Sequence, residues 1–207
     1  MKVAICFSGL PRTFTKSMLS WKNFINQNNC DVFVHTWGNF NYNKLNIYQF
    51  FQPKIIKIEK PKVYDVSHYN ERIWANDRSR LFNSFHSIKE SISLALNFNY
   101  DIIIRARFDW WFADIALEEN NSINIPNDPG LSNHNFKFNG QALLGHNDQF
   151  AFGNPKNMEI YANTFDSIQM LYDSGVDFCD ELFLTANLIK NNINIKYMDM
   201  DFKILRF

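Results

Sequence analysis

The sequence has little cysteine, no excess of charge and no long apolar run, and each shortage removes a class of function. Cys6, Cys30 and Cys179 are the only thiols. An odd count without C-x-x-C spacing offers neither a disulfide framework nor a zinc chelate, and it fits a reducing, cytoplasmic setting. The 21 basic residues balance the 21 acidic ones, so no whole-molecule field attracts nucleic acid, and any bound anion needs a local cluster. No stretch approaches the roughly 18 apolar residues of a membrane span. The opening MKVAICFSGL carries one Lys and an apolar run too short for a secretion leader. An integral membrane segment is therefore not expected, while peripheral contact with a membrane-bound acceptor stays open. Internal repeats and a dividing linker are lacking too, so residues 1–207 are expected to form a single domain.

What is present is a large apolar inventory. Hydrophobic residues make up 46% of the chain and aromatics 16%, with 21 Phe, enough to exclude a disordered or fibrous protein. Asn clusters at 26–29 and 191–194 are interleaved with periodic apolar residues, which argues against a prion-like tract.

The periodicities predict an α/β fold with a mostly parallel central sheet flanked by helices. KVAICF at 2–7 reads as a buried strand entering the tight loop Ser8-Gly9-Leu10-Pro11. Phe14, Met18, Trp21 and Ile25 form the stripe of a helix, and DVFVHT at 31–36 is the next strand. A helix at about 42–51 and a strand at 54–60 follow. Asp77 is the expected N-cap of a long helix whose Leu81, Phe85, Ile88, Ile92 and Ala95 share one face. The run IIIRARFDWWF at 102–112 begins fully apolar and then acquires charge, as at the carboxyl end of a strand. Residues 120–140, with Pro126, Pro129 and Gly130, read as a surface loop. A strand at 148–152, a helix from Pro155 to about Tyr172, a helix from Asp180 to Lys190 and a strand at 193–199 complete the expectation.

In such a sheet ligands bind beyond the carboxyl ends of the strands, and four places there carry polar residues. Ser8, Gly9 and Arg12 lie between the first strand and helix, where backbone N–H groups, a helix N-terminus and a guanidinium suit a phosphate. The alternative is an ordinary turn with a solvated Arg; a Walker loop is excluded because no G-K-S/T follows. His35 and Trp37 end the second strand, where their rings suit a base or sugar; a His that simply bonds to its loop is the alternative. Arg105, Arg107 and Asp109 alternate along one side of the emerging strand. Two guanidiniums beside a carboxylate suit a diphosphate, with or without Mg²⁺ or Mn²⁺ on Asp109; a structural Arg–Asp pair is the alternative. Asp148, before FAFG, and Asp180-Glu181, opening a helix, are the candidate general bases, against the simpler role of helix-end carboxylates for the latter two.

Together FSGLPRTF, DVFVHTW, YDIIIRARFD, DQFAFG and DELFL resemble a family of bacterial and viral glycosyltransferase-like proteins associated with surface polysaccharides, which is similar to the GT-A nucleotide-diphospho-sugar transferase fold. The resemblance covers nearly the whole chain. It implies a Rossmann-like GT-A domain that moves a sugar from a nucleotide-sugar donor to a glycan hydroxyl. In GT-A enzymes an Asp-x-Asp motif holds a divalent metal against the diphosphate; here the stretch reads Arg107-Phe108-Asp109. By that carry-over Asp109 keeps the second carboxylate, Arg107 stands where the first would be and neutralises the diphosphate itself, and the need for metal is open. The resemblance also sets Ser8, Gly9 and Arg12 near the nucleoside, and Asp180 or Glu181 as the base. Two other readings are carried: a sulfotransferase, since FSGLPRTFTKS is similar to a phosphosulfate loop, and a binding protein on a degenerate transferase fold that uses Trp110, Trp111 and Phe112.

Overall fold

The structure is a computed structural model, and it describes residues 1–12, 14–38, 44–69, 78–127, 136–138 and 141–205. Its framework is a seven-stranded mixed sheet. Strands β1 (Val3–Ser8), β2 (Asp31–Trp37), β3 (Ile55–Glu59) and β4 (Ile102–Arg107) run parallel in the order β4-β1-β2-β3. On the far side of β4 lie β9 (Phe150–Gly153), β6 (Ser122–Pro126) and β10 (Asn194–Met198). β9 is antiparallel to both of its neighbours, while β6 and β10 pair in parallel. The fold is thus α/β and mostly parallel, compatible with a Rossmann-like architecture. Two short pairs complete it, β5 (Trp110–Phe112) with β11 (Phe202–Ile204), and β7 (Phe136–Phe138) with β8 (Gln141–Leu143).

β1 is buried along its whole length because both faces of the sheet are covered. Val3, Ile5 and Phe7 point into a cluster with α1 (Phe14–Asn28) and α2 (Lys44–Phe51); Ala4 and Cys6 point into a second with α3 (Arg78–Leu96). The second cluster also takes in α4 (Pro155–Ala162), α5 (Thr164–Asp173) and α6 (Asp180–Lys190). α3 buries Leu81, Phe85, Ile88, Ile92 and Ala95, the stripe expected from its sequence. Each large apolar side chain so buried stabilises the fold by about 1.5–3 kcal/mol. Asp77, its expected N-cap, lies outside the described residues.

Three expectations need correction. The segment expected to be loop at 120–140 contains β6, buried at every position and paired on both sides. Its Pro126 is tolerated because it ends the strand, where no further ladder bond is required. The strand alternation expected to carry Asp109 on one side with Arg105 and Arg107 ends at Arg107, since Phe108 and Asp109 form a turn between β4 and β5. The expected helix from Pro155 to Tyr172 is two helices meeting at Asn163, whose backbone N–H bonds Glu159 and Tyr161 carbonyls as the cap of α4. No helix among the described residues is long and apolar enough to cross a membrane.

Candidate functional site

Register aligns the polar residues at the carboxyl edge of the sheet. Arg107 pairs with Ser8, Ser8 with His35 and His35 with Lys57, so one row crosses β4, β1, β2 and β3. Neighbours in a parallel row point to the same face, here the face covered by α3.

The turn after β4 is held by α1. Ser17 Oγ donates to the Phe108 carbonyl, and Trp21 Nε1 donates to the Trp110 carbonyl at 2.8 Å. The backbone N–H of Leu205 donates to the Asp109 carbonyl at 2.8 Å. Three successive carbonyls are thereby tied, and the Asp109 side chain is fixed where Arg107 reaches it. Arg107 donates from Nε to Oδ1 at 2.8 Å and from Nη2 to Oδ2 at 2.7 Å. Burial pulls the Arg107 guanidinium down, but the fork with Asp109, helped by the charges of Asp148 and Asp180, more than offsets it and raises its pKa.

Arg105 sits one row deeper, 2% exposed. Its Nη1 donates to the Gln149 carbonyl, while its Nε has no hydrogen-bond partner among the described residues. Burial lowers its pKa; Tyr161, Asp148 and Asp109 act the other way. Tyr161 Oη donates to the Asp148 carbonyl at 3.2 Å, and Asn147 Oδ1 accepts from the Gln149 N–H at 2.8 Å. Arg105 therefore anchors the loop that presents Asp148, itself buried. Arg105 is a positioning residue.

Asp180 and Glu181 occupy the first turn of α6, behind an N-cap, Cys179, that makes no side-chain capping bond. The Cys179 thiol donates to Glu181 Oε2 at 2.9 Å, and burial together with Glu181 pushes that thiol up, so it is not a nucleophile. Burial, Asp148 and Glu181 push the Asp180 carboxyl up to about 8, against the pull of Arg80 and Arg107. The structure thus brings Arg105, Arg107, Asp109, Asp148 and Asp180 into one electrostatic neighbourhood, drawn from β4, the loop before β9 and the start of α6. Gly145 makes room for this approach: a Cβ there would lie 2.8 Å from the Glu181 Cβ.

The loop after β1 differs from what its sequence suggested. Gly9 takes φ +95°, and its N–H is spent internally, on Ser87 Oγ at 2.8 Å and the His35 carbonyl at 3.2 Å. Ser8 is buried and Arg12 exposed. His35 is fully buried, not open to a base or sugar: Nδ1 lies 2.8 Å from Ser87 Oγ and Nε2 lies 3.1 Å from Glu59 Oε2. Its ring partners lie on α3 and β3, not on its own loop. Trp110 and Phe112 are core residues, 0% and 3% exposed, which removes them from any docking surface.

A metal at Asp109 does not fit the arrangement found. Both carboxylate oxygens accept from Arg107, whose fixed positive charge disfavours a second cation beside it. Among the described residues, the tight grouping of three ligand-type side chains is elsewhere, at His35, Glu59 and His86. Glu59 and His86 went unnoticed in the sequence; the signal was charge at the end of an apolar strand, KIIKIEK, and a His inside a helical stripe. Burial pushes the Glu59 carboxyl up, but hydrogen bonds from His35, His86 and Lys57 outweigh it and hold it at about 2.

Neither a protein-family model nor a curated protein matches the chain.

Proposed function

We propose that the chain is a glycosyltransferase of GT-A type that moves a sugar from a nucleoside-diphosphate donor to a glycan hydroxyl in surface-polysaccharide or glycoconjugate synthesis. The observation that carries the reading is the Arg107–Asp109 fork at the carboxyl end of β4, next to a carboxylate, Asp180, whose pKa stands near 8. A leaving diphosphate needs fixed positive charge, and an attacking hydroxyl needs a base with a pKa near the working pH.

In the proposed reaction the bond between the sugar's anomeric carbon and the diphosphate oxygen breaks, and a bond from that carbon to the acceptor oxygen forms. The acceptor's proton passes to the Asp180 carboxylate, with Asp148 and Glu181 keeping that group basic. The nucleoside diphosphate leaves with the electron pair, its charge met by Arg107. Two of the five N–H donors of that guanidinium serve Asp109, and the fork leaves others for phosphate oxygens. Asp109 orients Arg107, whereas in the resembling family the carboxylate at this place holds a metal. Arg12, exposed on the loop after β1, would meet the base and ribose in this reading. No step is routed through a metal.

The test is donor hydrolysis. Transferases leak sugar to water, so the protein is expected to release nucleoside diphosphate slowly from one nucleotide-sugar, and Asp180→Asn is expected to suppress the release. Intact donors throughout, with adenosine 3′,5′-bisphosphate bound instead, would favour the sulfotransferase; intact donors and no nucleotide bound would favour a scaffold.

A further inference from the structure

We propose that His35, Glu59 and His86 form a binding site for a first-row divalent transition ion, of which Zn²⁺ is the type, that pins β2, β3 and α3 together beneath the loop after β1. The inference uses none of the residues assigned to sugar transfer, so either stands if the other fails.

The ligand set is the starting point. His35 Nε2 and His86 Nε2 each lie 3.1 Å from Glu59 Oε2, and one ligand atom from each residue lies within 4.8 Å of the other two. At metal–ligand bonds of about 2.0–2.1 Å, a 3.1 Å nitrogen–oxygen separation corresponds to an angle at the metal of roughly 95–100°, between octahedral and tetrahedral. For the two imidazole nitrogens tetrahedral geometry asks for about 3.4 Å, within reach of a side-chain adjustment. Two imidazoles and one carboxylate are borderline ligands that suit Zn²⁺, Fe²⁺ or Co²⁺ and disfavour Mg²⁺ and Ca²⁺, which take oxygen.

The surroundings are those of a built metal site. Lys57 Nζ engages Glu59 Oε1 at 3.0 Å and Glu90 Oε2 at 2.6 Å, leaving Glu59 Oε2 facing both histidines, with Glu90 Oε1 4.0 Å from His86 Nε2. Glu59, Glu90 and Lys57 sum to one negative charge beside two imidazoles, a deficit that a cation corrects. Ser87 can serve the His35 tautomer a metal needs. Without an ion His35 Nε2 donates to Glu59 Oε2; with one bound, Nδ1–H would donate to Ser87 Oγ and Nε2 would present its lone pair, while Ser87 Oγ also accepts from Gly9 N–H and donates to the His35 carbonyl at 3.4 Å. The hydroxyl is then fully used. Trp37 stacks on the His86 ring at 5.7 Å and meets His35 edge-on at 4.8 Å, and Phe165 closes on His86 at 5.4 Å. Both imidazoles are buried while Glu59 is a quarter exposed, so an ion enters on the carboxylate side. Three protein ligands leave a position there for water or a ligand oxygen.

The experiment is a Co²⁺ titration of the chelator-treated protein, read by visible d–d absorption and by metal content, with Zn²⁺ and Mg²⁺ as competitors. The proposal expects saturation at one Co²⁺ per chain, displacement by Zn²⁺ and not by Mg²⁺, and a rise in melting temperature. Glu59→Gln and His86→Asn are each expected to weaken Co²⁺ binding at least about tenfold, with circular dichroism showing that the variant is folded. Asp109→Asn is expected to bind Co²⁺ as the wild type does. Unsaturable binding by the wild type, affinity unchanged in a folded Glu59→Gln or His86→Asn variant, or loss of binding in Asp109→Asn would each overturn the proposal.

Discussion

Arg107 grips Asp109 with two parallel N–H donors, at 2.8 and 2.7 Å, although only one residue separates them along the chain. An extended strand would carry them apart, roughly 6.5 Å over two residues; the turn at Phe108 and Asp109 folds the carboxylate back. The grip places a charge-assisted fork at the mouth of the central strands, with Asp148 and Asp180 acting on the same guanidinium.

Replacing Arg107 tests its part in nucleotide binding, with circular dichroism showing that each variant is folded. Arg107→Ala is expected to weaken nucleoside diphosphate binding at least about tenfold, and Arg107→Lys to recover only part of it, because an ammonium has no planar fork. Isothermal titration with UDP and GDP checks both variants.

Asp180 makes stability fall as pH rises. Its carboxyl is neutral longer in the folded state, from the usual 3.8 up to about 8, so the native state holds the extra proton across that window and loses stability through it. Asp180→Asn mimics the neutral form. It is expected to melt higher than wild type at pH 9, to differ little at pH 4, and to lose turnover at both; melting curves against pH check the first two points.

Gly145→Ala should damage the site without replacing a charged group. The new Cβ would meet the Glu181 Cβ at 2.8 Å, so the first turn of α6 must move. We expect a cost of about 1–3 kcal/mol, read by chemical denaturation, together with lost donor hydrolysis.

The two buried indoles that brace the turn are not equivalent. Trp21 Nε1 donates to the Trp110 carbonyl, whereas Trp110 Nε1 has no partner among the described residues. Trp21→Phe is thus expected to cost about 1 kcal/mol more than Trp110→Phe, the worth of one buried hydrogen bond. Urea unfolding of the pair of variants measures the difference.

Much of this framework is readable from periodicity. α3 announces itself through five apolar residues on one face, and β1 through an unbroken apolar run that fits burial on both sides. β6 escapes notice because Ile123 and Ile125 are its only large apolar residues and Pro126 closes it among asparagines. The break at Asn163 is hidden because α4 and α5 keep one continuous apolar stripe across it. At the site, Arg107, Asp109 and Asp180 stand out as charge following apolar sequence. Two features stay hidden: that Gly9's N–H is consumed internally, and that Glu59 and His86 meet His35 from elements far apart in sequence. Both depend on how α3 lies across the sheet, which no local pattern records.

The most direct measurement is the melting temperature of wild type and Arg107→Ala with UDP, GDP, CMP and adenosine 3′,5′-bisphosphate, each with and without Mn²⁺. The account predicts that one nucleoside diphosphate stabilises the wild type, without needing Mn²⁺, and leaves Arg107→Ala unmoved. No shift with any nucleoside diphosphate, or an equal shift in the variant, would contradict it.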